Sequence, residues 1–287
     1  MNAVLCVDVG STFTKAALVD PGDGTLLATA SHRTTLPAPL PGGTPGGDVL
    51  HGIDAVRAAA EEQAGVGAGD VLACSSAGGG LRIAVVGYER LVTAEAGRRV
   101  ALSAGGRVVH VTAGPLQPPD VDELRAARPD VVLLAGGTDG GDADVLLHNA
   151  RRLAIARLPA PVVVAGNAEA APAARQELER RGRKVAVAPN VLPRIGTLQP
   201  LGARAAIREQ FLRHVIGGKG LSRGPRFARL VQAPTPDAVL AGVEVLAAAA
   251  GGDVLVVDVG GATTDVYSVI TPQGEDGAAS DLTREVV

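Results

Sequence analysis

A chain of 287 residues, 46% hydrophobic and 20% charged, is long enough for roughly two domains with sizeable cores. Its net charge of −3 supplies neither the basic surface that nucleic acid requires nor a basic block for a membrane surface. Aromatic residues make up only 2%, so the core must be built from Val, Leu, Ile and Ala, which suits buried parallel strands under Ala-rich helices.

The chain opens with Val4 to Val9, an apolar run broken by Asp8 and not preceded by basic residues, which reads as a strand rather than a signal peptide. Thr14 to Val19 resumes as a second strand, Pro21-Gly22-Asp23-Gly24 turns, and Leu26 to Thr29 completes a meander. Leu36 to Gly47, rich in Pro and Gly, is an irregular loop, and Ile53 to Glu62 reads as a helix. From about Leu81 to Ala188 the pattern alternates regularly. Apolar runs at Leu81–Val86, Arg107–Val111, Val131–Ala135, Val162–Ala165 and Lys184–Ala188 are separated by helical segments Thr93–Ser103, Val121–Ala127, Ala143–Ala156 and Ala168–Arg181. Strand and helix alternating at this spacing imply right-handed parallel crossovers, hence an open α/β sheet. A further helix spans about Leu201 to Val215, followed by a Gly- and Arg-rich connection from Gly217 to Arg226. Thr235-Pro236-Asp237 reads as an N-cap with Pro at the first helical position. The helix it opens, Pro236 to Ala250, contains Gly242 and other small residues suited to close packing, and strand Asp253–Val257 follows.

No apolar stretch approaches the ~20 residues needed to span a bilayer, and a cytoplasmic location is expected. Cys6 and Cys74 both sit in apolar surroundings and are expected to be buried free thiols. The histidines share no ligand-like spacing, so no zinc site is expected.

The strongest signal is a repeat. Val4-Leu5-Cys6-Val7-Asp8-Val9-Gly10 matches Val254-Leu255-Val256-Val257-Asp258-Val259-Gly260 at every position except Cys6/Val256. In each copy an apolar strand delivers an Asp to its end, where a carboxylate can hold a hydrated Mg²⁺. The following Gly10, or Gly260 and Gly261, lets the backbone approach a phosphate without a Cβ in the way. Backbone amides and the hydroxyls of Ser11, Thr12, Thr263 and Thr264 then donate to phosphate oxygens, and Lys15 adds a positive charge. A lone Asp-x-Gly is a common turn. Two copies on like strands, each followed by small hydroxyl residues and another strand, point to two jaws gripping a triphosphate and its metal.

Asp8-Val9-Gly10-Ser11-Thr12-Phe13-Thr14-Lys15 resembles the first phosphate motif of the actin/Hsp70/sugar-kinase superfamily, and Asp258-Val259-Gly260-Gly261-Ala262-Thr263-Thr264-Asp265 resembles the second. The placement of Lys15 resembles the actin-type arrangement more than that of Hsp70, and Gly242 with its neighbours becomes a hinge candidate. Together with Cys74 to Arg82, Leu134 to Gly141 and Ala165-Gly166-Asn167, these motifs resemble the GlmL family, also called MutL, accessory proteins of adenosylcobalamin-dependent glutamate (methylaspartate) mutase. The resemblance covers essentially the whole chain. It implies an actin-like (ribonuclease H-like) ATPase fold with an inserted open parallel α/β domain. It also implies a chaperone-like, ATP-dependent role toward the cobalamin-dependent mutase subunits, with no nucleic acid or membrane partner. The first half of the nucleotide fold is placed at 1–75, the inserted domain and connection at 76–234, and the start of the second half at 235–287. Asp8 and Asp258 are expected to hold the metal, and Asp265, or a water it orients, to assist hydrolysis.

The superfamily's Gly-rich adenosine loop lies well beyond the second phosphate motif, and the sequence stops at Val287 without it. The second half is therefore expected to be truncated and the polypeptide to turn over ATP weakly or not at all. A small-molecule kinase on the same fold remains an alternative, although no convincing general base appears outside the two loops. So does a non-catalytic interaction module.

Two further Gly-rich loops carry open readings. Leu134-Ala135-Gly136-Gly137-Thr138-Asp139-Gly140-Gly141 is either a tight strand-to-helix connection or a ligand loop at a strand's carboxyl end. Ser75 to Gly80 is either a hinge, the favoured reading, or a backbone-hugging loop. Asn167 is expected to cap the helix after it, and the arginines at 98, 99, 151, 152, 180, 181 and 183 to form solvated faces. Gly217-Gly218-Lys219-Gly220 lacks P-loop spacing and is rejected as one.

Overall fold

The computed structural model describes residues 3–261 and 263–270. Ala262 and the segment after Ile270, including the expected stop at Val287, lie outside them. The described chain divides into two compact units, each discontinuous in sequence. The first combines the residues up to Gly80 with Leu212–Ala238 and the described part of Asp258–Asp265; the second combines Leu81–Phe211 with Val239–Val257 and the described residues from Val266.

The first unit is built on a five-stranded sheet. Strands β1 (Ala3–Val9), β2 (Phe13–Val19) and β3 (Leu26–Arg33) form the expected antiparallel meander. Two strands that the sequence reading did not place complete it: β4 (Ala68–Ser75) and β10 (Val231–Pro234), giving the order β10-β4-β1-β2-β3 with β4 parallel to both neighbours. Gly69 and Asp70 interrupt the apolar pattern of β4, and β10 is a four-residue edge strand ending in Pro, a position proline tolerates. β1 looks like a fully buried run, yet only alternate residues Ala3, Leu5, Val7 and Val9 are buried, while Cys6 is exposed. Those buried side chains meet helix α1 (Val49–Ala64), whose Val49, Ile53, Val56 and Ala60 recur at helical spacing. Asp48 caps α1 by accepting from Leu50 N at 2.9 Å, and the same carboxylate accepts from Ser222 Oγ and Arg223 N. Arg226 and Asp54 form a forked ion pair beside it.

The second unit contains the expected open sheet. Strands β5 (Leu81–Gly87), β6 (Gly106–Ala113), β7 (Val131–Leu134), β8 (Val162–Val164) and β9 (Val185–Val187) are all parallel, in the order β6-β5-β7-β8-β9. β7 and β8 are buried at every position, which explains their unbroken apolar sequences. Helices α2 (Thr93–Ser103) and α6 (Pro200–Gln210) pack together and against the sheet. The other set is α3 (Pro118–Ala126), α4 (Asp144–Ala156) and α5 (Ala171–Glu179), whose apolar faces join Ala84, Val86, Val132, Leu134 and Val164 in one core. α6 gives way to a π-helical turn and a 3₁₀ turn over residues 211–219, and the connection expected from Gly217 to Arg226 leads into a short helix, α7 (Pro225–Leu230). The expected arginine faces carry ion pairs: Arg98 and Arg99 with Glu95, and Arg151 and Arg180 with Glu177.

Helix α8 (Thr235–Ala250) begins in the first unit and continues into the second, where Leu240 and Val243 pack with Tyr267 against the two-stranded sheet of β11 (Val254–Val259) and β12 (Thr264–Val269). Gly242 does not mediate the expected close packing, because a Cβ built there meets nothing within 4 Å. The division between units falls after Ala238, within the same helix. The result is a mixed α/β molecule with parallel strand pairing in both larger sheets. Among the described residues, no helix is long and apolar enough to cross a membrane.

Candidate functional site

β1 carries Asp8 on the sheet face opposite α1, because Val7 and Val9 take the buried positions on either side of it. Strand register then fixes its neighbours: Lys15 stands opposite on β2 and Cys74 on β4. Asp8 Oδ1 accepts from the Thr235 hydroxyl at 2.7 Å and from Cys74 Sγ at 3.6 Å. Thr235 therefore serves Asp8, where the sequence pattern had suggested only a helix cap. Neither partner was legible in the linear sequence, since 227 residues separate Asp8 from Thr235. Burial raises the Asp8 carboxyl above its ordinary value; the Thr235 and Cys74 hydrogen bonds and Lys15 pull it back, and the charge of Asp258 pushes it further up. Burial, then the Asp8 charge, push the Cys74 thiol up to about 12. Both cysteines are free as expected, but Cys6 is exposed rather than buried because it lies on the open face of β1. Cys6, Asp8, Lys15, Leu72, Cys74 and Gln232 line a depression of ≈ 430 Å³ on that face.

The turns after the two Asp residues are alike. Gly10 N donates to Phe13 O at 3.1 Å, and Gly260 N donates to Thr263 O at 2.9 Å. A Cβ at Gly10 would lie 2.8 Å from Phe13 O, and one at Gly260 would lie 3.0 Å from Thr263 O. The same close backbone approach leaves no room for a Cβ at Gly10 and a tight fit for one at Gly260. The first turn is held further by Thr34, whose hydroxyl donates to Gly10 O at 2.8 Å and whose amide donates to Thr12 O at 2.9 Å.

The two turns meet within the first unit. A Cβ at Gly261 would come within 3.0 Å of the Thr12 Cβ, and the Asp8 carboxylate feels the charge of Asp258. Asp8, Gly10, Ser11, Thr12, Lys15, Asp258, Gly260, Gly261, Thr263, Thr264 and Asp265 all belong to this unit. Ser11, Lys15, Thr263 and Thr264 are exposed. The Ser11 hydroxyl donates to Ser76 O at 3.4 Å and that of Thr263 donates to Asp265 Oδ2 at 3.3 Å. Two carboxylates, a lysine and a set of small hydroxyls are therefore presented around two glycine turns, a donor set suited to a polyphosphate with a divalent cation. Among the described residues there is no group of three or more His, Cys, Asp or Glu side chains able to enclose a metal ion unaided.

The remaining glycine loops are ordered by polar side chains. The Asn167 side-chain oxygen accepts from Glu169 N and Ala170 N, as a cap does, while its amide nitrogen donates to Gly141 O. At Ser75 to Gly80, the amides of Ser76 and Ala77 donate to Val9 O, and Lys219 Nζ donates to Gly80 O at 2.8 Å.

A family profile described as MutL protein matches residues 4–284. A curated relative, Protein MutL of Clostridium tetanomorphum, is 39% identical over 277 residues, covering 94% of this chain and 58% of the relative. The chain thus spans little more than half the length of that protein. Among solved structures, component A of the (R)-2-hydroxyglutaryl-CoA dehydratase of Acidaminococcus fermentans aligns over 72% of this chain and 95% of its own, at 14% identity and a TM-score of 0.18.

Proposed function

The chain belongs to the MutL protein family, and from that premise we propose that it is an ATP- and Mg²⁺-binding accessory or reactivating factor for a cobalamin-dependent glutamate (methylaspartate) mutase, built on an actin-like plan. The observation that carries the nucleotide reading is the meeting of two hairpins with the same glycine closure, each delivering an Asp from an apolar strand. Burial and the nearby Asp258 make the Asp8 carboxylate costly to ionise alone, and a divalent cation between the two would relieve that cost. In this reading Asp8 and Asp258 hold Mg²⁺, which neutralises phosphate charge when bound. Thr235 and Cys74 orient Asp8 through its Oδ1. Lys15, Ser11, Thr12, Thr263, Thr264 and the amides around Gly10, Gly260 and Gly261 grip phosphate oxygens, and Asp265 positions a water. Nucleotide occupancy would then set the conformation presented to the mutase subunits.

The test has two stages. Calorimetric titration of this chain with MgATP should give saturable binding that weakens at least tenfold in Asp8→Ala and Asp258→Ala. The longer protein, incubated with MgATP and an inactivated mutase, should restore mutase activity, and Asp8→Ala should not. Restoration without ATP, or indifferent to Asp8, would sink the proposal.

A further inference from the structure

The seven-residue repeat shared by β1 and β11 is not matched by equal burial. On β1 the alternate residues Leu5, Val7 and Val9 are 0%, 3% and 0% exposed, because they lie under α1. Their counterparts on β11 are Leu255, Val257 and Val259, the same residue types at the same spacing, and these are 67%, 54% and 72% exposed. Single exposed apolar residues are ordinary, but here three stand in a row on one strand face.

Helix α8 does not cover this face. It packs on the other side of β11, where Leu240, Val243 and Tyr267 meet Val254 and Val256. Strand alternation turns Leu255, Val257 and Val259 away from it. The strand edges differ in the same sense. β1 pairs with β2 on one side and, in parallel, with β4 on the other. Among the described residues β11 pairs only with β12, in a two-stranded sheet, and its second edge is open to another strand. In the first copy one continuous stretch supplies both covers, since α1 ends at Ala64 and β4 begins at Ala68.

We propose that the open face and edge of β11 seat a second helix–strand segment of this kind, contributed by the part of the longer protein that lies outside this chain. Its helix lays an apolar stripe, spaced as Val49, Ile53, Val56 and Ala60 are on α1, over Leu255, Val257 and Val259. Its strand pairs in parallel with β11, as β4 does with β1. The repeat argues for this occupant, because the same three side chains in the same order present the same surface to a partner. The MutL relative supplies a source: 277 residues account for 58% of it, and the remainder is several times the length of the Val49–Ser75 stretch. A second copy of this chain has no α1 to lend, since the apolar face of that helix is already packed on β1.

The test compares this chain with the longer protein, without nucleotide, so the MgATP titration can fail while this proposal stands. Hydrogen exchange read by mass spectrometry should show the β11 peptide exchanging at least tenfold more slowly in the longer protein. Val257→Asp should lower the melting temperature of the longer protein by at least about 5 °C, and that of this chain by less than half as much. The milder Val257→Thr should keep that order if Val257→Asp prevents folding. A photocrosslinker attached through Val257→Cys, in a Cys6→Ser background, should join β11 to a segment outside this chain whose apolar residues recur at helical spacing. Equal exchange in the two proteins would overturn the proposal. So would substitutions that act equally on both, or cross-links only within this chain or to a second copy.

Discussion

At Asp8 the fold carries a charge in a place that disfavours it, and this has a consequence for stability. The carboxyl is raised above its unfolded value of 3.8 by burial first, with Asp258 adding to the effect. Between the unfolded and folded values the native state keeps a proton that the unfolded chain has lost, so stability falls as pH rises through that window and stays lower above it. Asp8→Asn is isosteric and keeps an acceptor for Thr235. It should raise the melting temperature at pH 7 by about 2–4 °C, the shift expected from ~1 kcal/mol in a chain of this size. The gain should shrink below pH 4, and MgATP binding should be lost. A scan at pH 3.5 and 7 checks it. The Asp side chains and the glycines after them could be picked out from the repeat alone. Thr235 and Cys74 could not, because strand register and a helix far along the chain bring them to Asp8.

At the scale of elements, α1 illustrates how local signals and distant contacts combine. Its apolar spacing was readable, but the sequence placed its start at Ile53 and the structure starts it at Val49, because Asp48 caps it. Desolvation acts to raise the Asp48 carboxyl, but the amides of Leu50 and Arg223 and the Ser222 hydroxyl together hold it below its ordinary value. That stabilisation is present above the unfolded value and is lost as pH falls through the folded one. Asp48→Ala should cost about 1–2 kcal/mol in urea unfolding at pH 7, with Asp48→Asn costing less because it still caps. β4 and β10 escaped the sequence reading for the converse reason. Pairing with neighbours, more than their own residues, makes them strands.

For the molecule as a whole, both units are assembled from segments far apart in sequence, and side chains buried between those segments hold them. Arg204 on α6 donates to Glu244 on α8 at 2.9 Å, with side-chain exposures of 8% and 21%. Removing the guanidinium takes a charge-assisted hydrogen bond from the largely buried Glu244 carboxylate, so Arg204→Ala should cost about 2 kcal/mol by denaturant unfolding. Arg204→Met, combined with Glu244→Gln, should cost less. A cost of Arg204→Ala below about 1 kcal/mol, the level of a surface pair, would show that the contact does not bind α8 to the second unit.

The amino-acid sequence by itself determined the residues of the paired hairpins and the strand–helix alternation of the second unit. Both are written in short-range patterns: Asp and Gly at the end of an apolar strand, and apolar periods changing between two and three to four residues. Tertiary structure alone decided which face of β1 is open and what Asp8 touches. It also decided that the two hairpin turns meet and that the winding of the parallel sheet reverses at β5. Those facts depend on strand order and register, which arise from pairing between segments up to hundreds of residues apart and leave no mark on any local stretch of sequence.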